Sequence, residues 1–251
     1  MKQASNLFRQ LLAASTLIGA AASSVAVPVS SYGNIGAPGV YFGSGNVNGN
    51  WTVGTDTTST VEVALRAKNR ATGATINGSS GIYATTEGLC NPVCTGSAKA
   101  MWNYELSVNL RAGGGLQSFF DVFVELSVDT DSSAGTSFNV LNVLTNWPDN
   151  EYYNGSRRVD TAMGPQAGEY GVQQSANAKF ANAGFGGVLP GAGLYDLRLA
   201  VYANNNGVRG AMLAETNTQV QVVPEPSSIA LTGLALLGLF SSLGMRRRRR
   251  S

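Results

Sequence analysis

Between Trp102 and Val128 the chain twice alternates apolar and polar residues with a period of two. Trp102, Tyr104, Leu106, Val108 and Leu110 fall on one face of an extended strand, and Asn103, Glu105, Ser107 and Asn109 on the other. Beyond Gly113-Gly114-Gly115, Phe120, Val122, Val124, Leu126 and Val128 alternate with Asp121, Glu125 and Ser127. Side chains change face at every residue of a strand but follow a 3.6-residue period in a helix, so this pattern fits strands. Two such runs around a glycine loop predict a β-hairpin. Val61, Val63 and Leu65 alternate in the same way, as do Tyr195, Leu197, Leu199 and Val201; Val220 and Val222 close the body, and 138–144 is a further candidate strand.

No body segment shows a helical apolar period over ten residues. Half-buried strands need a second layer to cover their apolar face. The expected fold is therefore all-β, an antiparallel β-sandwich of Ig-like or jelly-roll-like type. Its expected core is Trp102, Tyr104, Leu106, Phe120, Val122, Val124, Leu126, Leu197 and Leu199. Exposed loops are expected at 34–50, 71–81, 147–171 and 181–193.

The two ends read differently from the body. Lys2 and Arg9 precede an apolar run at 11–22, and Ser24-Val25-Ala26 is a small-x-small site. This is the pattern of a signal peptide over 1–26, cleaved by signal peptidase after Ala26, with Ala22 and Ser23 as fallback sites. At the other end stand Pro224, Glu225 and Pro226, then 227–245 without one Asp, Glu, Lys or Arg, then Arg246, Arg247, Arg248, Arg249 and Arg250. As a helix the uncharged run spans roughly 28 Å, close to the hydrocarbon core of a bilayer. The prolines mark its outer end, and the arginines stay on the cytoplasmic side. A single C-terminal transmembrane helix with the body outside the inner membrane follows. The competing reading is a buried core helix with a nucleic-acid-binding tail.

Val223-Pro224-Glu225-Pro226, the Leu/Gly/Ala-rich run and the terminal arginines together resemble the PEP-CTERM sorting domain of exported proteins of Gram-negative bacteria. The resemblance implies recognition by the membrane enzyme exosortase, processing near Pro224 to Pro226, and release to the cell surface or an extracellular exopolysaccharide or biofilm matrix. It divides the chain into 1–26, a 27–222 ectodomain and a 223–251 tail. Phe119 to Asp131, residues 146–150, Val172-Gln173-Gln174-Ser175 and Gly193-Leu194-Tyr195-Asp196 resemble recurring elements of one group of such ectodomains, taken as β-sandwiches without an assigned function. A Leu-Pro-x-Thr-Gly sortase signal is absent, and a GPI signal would end in its apolar tail.

Net charge excludes one partner class. The 17 Lys and Arg against 15 Asp and Glu give +2. Two basic residues lie in the leader and five in the tail, so the body carries about −4 with scattered cations. That argues against nucleic acid as a partner. Cys90 and Cys94 are the only cysteines, and in an exported chain they most simply pair with each other.

The chain has no His, which excludes Ser-His-Asp and Cys-His nucleophiles and His-ligated metals. Carboxylate chemistry remains. Asp121 and Glu125 share a strand face but stand roughly 13 Å apart along it, beyond the ~5–9.5 Å of glycosidase pairs. Glu105 would meet Glu125 only if the hairpin register allows. Asp129-Thr130-Asp131-Ser132-Ser133 opens like a calcium loop but has Ala134 and Val140 where an EF-hand needs Gly and Glu. A looser calcium site at Asp129 and Asp131, or a plain polar turn, both fit. Trp147, Tyr152 and Tyr153, beside Asp149, Asn150, Asn154 and Arg157, have the composition of a sugar-stacking loop or of aromatics folded onto the core. The expectation is a non-catalytic surface protein without a cofactor. The alternatives are a carbohydrate-binding module using the Trp147–Tyr153 loop and a carboxylate-dependent glycan hydrolase.

Overall fold

A computed structural model describes residues 29–42, 47–55, 60–78, 81–91, 93–94, 98–111, 118–159 and 164–224. The segments expected to be a leader (1–26) and, beyond Pro224, a sorting tail lie outside the described residues. Within these, strands form two sheets. The larger contains β1 (Val29–Gly33), β2 (Trp51–Thr55), β3 (Glu62–Asn69), β5 (Trp102–Asn109), β10 (Gly171–Asn177), β8 (Glu151–Tyr153) and β9 (Arg157–Val159), in that spatial order. The smaller contains β4 (Ile82–Thr86), β12 (Val208–Val223), β11 (Gly193–Asn205), β6 (Val122–Asp129) and β7 (Phe138–Asn142). The one described α-helix is a single turn, α1 (Val143–Asn146), capped by the Asn142 side chain.

Both sheets contribute to one core. Leu65, Trp102, Tyr104 and Leu106 from the larger sheet cluster with Leu126, Leu197, Leu199 and Val220 from the smaller. The period-2 pattern thus buries the faces it should. At one point the sheets touch backbone to side-chain position: a Cβ on Gly54 of β2 would fall 1.8 Å from the Glu215 carbonyl oxygen of β12. Tyr83 of β4 also bridges them, its hydroxyl donating to the Asn50 carbonyl oxygen at 2.8 Å and lying 3.0 Å from Thr52 Oγ1.

Three expectations are corrected. The Trp102 and Val122 runs are not a hairpin: β5 and β6 belong to different sheets, so their apolar faces meet across the core instead of lying side by side. The sheets are not purely antiparallel, because β4 runs parallel to β12. Phe120 is not in the core. It is 59% exposed, whereas Phe119 is 2% exposed, because Phe119–Asp121 form a 3-10 turn that breaks the alternation before β6 begins. The loops expected at 34–50 and 147–171 also do structural work: residues 34–42 of the first cover a sheet face, and the second contains β8 and β9.

A two-residue hairpin joins β11 to β12 through Asn206 and Gly207, with φ of 56° and 86°. Positive φ at both central residues is what a type I′ turn requires, and it matches the twist of the flanking strands.

Candidate functional site

Alternation puts a second set of side chains on the outer face of the larger sheet, away from the core. In register across three strands lie Arg66, Glu105 and Ser175, and beside them Lys68, Asn103 and Asn177. A strand buried on one face only would leave this face to solvent. It is largely covered instead: Glu105 is 0% and Asn103 5% exposed.

The cover comes from the irregular residues 34–42 and 47–50. Ile35, Ala37 and Phe42 pack on Trp51, Val53, Ala64 and Tyr153 as a second, smaller core. Polar ties hold it. The Glu62 carboxylate accepts from Gly36 N at 2.9 and 3.0 Å, and burial raises its pKa. Gln173 accepts from Tyr41 N at 2.8 Å and donates to the Gly39 carbonyl oxygen at 2.9 Å. Arg66 donates through Nη1 to the carbonyl oxygens of Val47 and Gly49, each at 2.8 Å, while its guanidinium lies 4.1 Å over the Trp51 ring.

Where the cover ends, a groove of about 660 Å³ opens over β3, β5, β10 and the 149–157 segment. Its floor is a hydrogen-bonded line across the strands. Asn177 Nδ2 donates to Asn103 Oδ1 at 2.8 Å, Asn103 Nδ2 to Ser175 Oγ at 3.1 Å, and Ser175 Oγ to Glu105 Oε1 at 3.2 Å. Glu105 Oε2 in turn accepts from Arg66 Nε at 2.7 Å. On one wall Arg157 grips Glu151 in a bidentate pair, 2.6 and 2.5 Å, and this raises the arginine's pKa. Gln174 Nε2 donates to Asp149 Oδ1 at 3.0 Å. Lys68 and Arg70 line the opposite wall, and Phe42 and Phe180 contribute the apolar surface.

The residues that sequence reading singled out fall elsewhere or have other roles. Trp147, Tyr152 and Tyr153 are 3%, 0% and 0% exposed and offer no open stacking surface. Tyr152 stacks edge-on against Phe119, and its hydroxyl donates to the Leu144 carbonyl oxygen at 3.3 Å. Tyr153 points to the opposite face, between Tyr41 and Tyr170. Tyr152 and Tyr153 are buried because β8 is paired on both sides, with β10 and β9, and packed on both faces. Glu105 and Glu125 cannot act as a pair, since they lie on strands of different sheets; Glu125 is held by Arg209 Nη1 at 2.8 Å.

Asp129 and Asp131 spend their Oδ1 atoms on their own loop. Asp129 accepts from Asp131 N at 3.0 Å and Ser137 N at 2.8 Å, and Asp131 accepts from Ser133 N at 2.9 Å. The bond from Ser133 N, with help from the Ser133 hydroxyl, lowers the Asp131 pKa. Asp129 Oδ2 is buried without a partner. Among the described residues no three His, Cys, Asp or Glu side chains converge on a metal position. Cys90 and Cys94 are joined, with Cα atoms 5.3 Å apart.

The groove was missed because its residues come from positions between 42 and 180 that no local motif connects. The apolar residues Ile35, Ala37, Val40 and Phe42 were the available signal that 34–50 covers something. No protein-family model matches this chain, and neither does any curated protein.

Proposed function

We propose that this chain is an exported, non-catalytic surface or matrix protein, sorted by exosortase, whose body is a β-sandwich of Ig-like or jelly-roll-like type. The observation that carries the reading is the order Pro224-Glu225-Pro226, uncharged apolar run, Arg246 to Arg250. The fold supports it. Strand β12 ends at Val223, immediately before Pro224, so processing at the motif would leave every described strand intact. Two sheets with one shared core support the sandwich.

The groove supports binding over turnover. Its carboxylates Glu105 and Glu151 are each engaged by an arginine, so their oxygens are committed to ion pairs and not free to reach a substrate. Before processing, the tail would hold the body in the periplasm against the inner membrane; afterwards the body would lie at the cell surface or in the matrix.

Intact-mass measurement of protein released by the producing cells tests the reading. A chain starting near Val27 and lacking Arg246 to Arg250 is expected. A released chain that retains both the leader and the arginines overturns it.

A further inference from the structure

We propose that the groove on the outer face of the larger sheet binds a short stretch of an anionic, uronate-bearing glycan. The inference rests on the non-catalytic reading of this groove but not on processing of the tail.

The floor is flat, polar and pre-organised. Asn103, Glu105, Gln174 and Asn177 are 5% exposed or less, and each is fixed by bonds to its neighbours. Such a surface does not need to order side chains when a ligand arrives, which lowers the entropic cost of binding. Its exchangeable groups are amides, a hydroxyl and carboxylates. These are the partners of hydroxyl groups, each of which both donates and accepts. The volume of about 660 Å³ lies within the usual range of ligand sites.

Phe180 supplies the second element. It stands at the end of β10, anchored by its N–H to the Asn177 carbonyl oxygen at 2.9 Å, and is 38% exposed. A half-exposed ring beside a polar floor suits a ligand with one apolar C–H face and hydroxyls around its edge, as a pyranose has.

Charge selects among glycans. Glu105 lies between Arg66 at 2.7 Å and Lys68 at 3.6 Å, so its charge is more than matched. Glu151 is neutralised by Arg157. That leaves exposed Arg70 against Asp149; the lining alone is balanced, and with the buried Arg66 under Glu105 counted, four cations stand against three carboxylates, one positive charge in excess in a body that is negative overall. A carboxylate on the sugar would meet Arg70 in a charge-assisted bond. An anionic peptide offers the same charge but not the ring face or the run of hydroxyls.

Calorimetric titration of the full chain in mild detergent decides it, using a hexagalacturonate, a neutral cellohexaose and a hexaglutamate peptide. The hexagalacturonate is expected to bind at least tenfold more tightly than the other two, with affinity falling as salt rises. Arg70→Ala and Phe180→Ala should each weaken it at least tenfold without shifting Tm, while Arg209→Ala on the other sheet leaves it unchanged. Equal affinity for the neutral sugar or the peptide, unaffected binding in both groove variants, or no binding of hexagalacturonate each overturns the proposal. The mass of the released protein is a separate readout, so failure here does not touch the export reading.

Discussion

Arg66 Nε lies 2.7 Å from Glu105 Oε2 on the neighbouring strand, and neither side chain is exposed. The pair is the hinge between the two halves of the outer sheet face: Arg66 reaches the covering segment at Val47 and Gly49, and Glu105 reaches the groove floor at Ser175. Breaking a buried ion pair leaves one uncompensated charge, whereas replacing both charges removes the problem. Glu105→Leu alone should therefore destabilise by about 3–5 kcal/mol. Adding Arg66→Met should recover a large part of that loss. Denaturant midpoints of the single and double variants check it; additive losses would show that the pair is not coupled.

At Gly54 the two sheets approach backbone to backbone. A Cβ there would meet the Glu215 carbonyl carbon at 2.6 Å as well as its oxygen. Two backbones cannot yield as a flexible side chain can, so the sheets must separate. Gly54→Ala is expected to cost about 1–3 kcal/mol or more, as overpacking does. Gly73→Ala serves as a comparison: nothing lies within 4 Å of its Cβ position, and its cost comes only from a φ of +68°. A Gly54→Ala protein as stable as the parent would contradict the contact.

Alkaline pH should unfold the body through its buried phenols. Burial raises the pKa of Tyr83 to about 12, only partly offset by its bond to Thr52, and raises those of Tyr104 and Tyr153 further. In the unfolded chain each phenol ionises near about pH 10. These groups hold their protons more tightly when folded, so their contribution is fully present below pH ~10 and is lost as pH rises towards ~12. Phenolate absorbance should consequently appear together with loss of the fold, not before it. Tyr83→Phe should flatten the dependence of stability on pH in this window. Free titration of all the tyrosines in folded protein near pH 10 would refute the burial argument.

The Cys90–Cys94 bond closes a loop whose backbone is already held. Cys94 N donates to the Cys90 carbonyl oxygen at 2.6 Å, and Cys90 N donates to that of Lys99 at 2.8 Å. So short a loop removes little unfolded-state entropy, on the order of 2 kcal/mol at most. The reduced protein should stay folded, with a Tm lower by only a few degrees. Complete unfolding on reduction would mean that the bond holds more than its own turn.

Strand content and core were largely legible, and the arrangement of strands was not. Period-2 alternation says which residues share a face, as at Leu126 or Leu197, but not which strand lies alongside. That is why β5 and β6 read as a hairpin although they face each other across the core. Asn206-Gly207 was a stronger turn signal than the triple glycine, because it demands a two-residue type I′ turn. Burial of Glu105 could not be read at all. Its partners Arg66, Ser175 and the 34–50 cover are brought to it only by tertiary structure, and a polar residue under a polar network looks in sequence like one in water.

The junction of Phe119 and Phe120 tests where the alternation stops. Extending the β6 pattern backwards puts Phe120 inside and Phe119 outside; the 3-10 turn, capped by Ser118 Oγ at 3.1 Å from Phe120 N, reverses them. Phe119 packs edge-on against Tyr152 with ring centroids 5.8 Å apart, in the core both sheets share. Phe120 projects its ring to solvent, and apart from the N–H that donates to Ser118 Oγ its one bond is at the carbonyl oxygen, which accepts from Asn204 Nδ2 at 2.9 Å. A side-chain truncation leaves that bond in place. Phe119→Ala should thus cost about 3–5 kcal/mol through cavity formation, and Phe120→Ala no more than about 0.5 kcal/mol. Urea denaturation of the two variants gives both numbers from the shift in midpoint. The reverse order would place β6 two residues earlier, with Phe120 packed against the larger sheet and the turn at Ser118 absent.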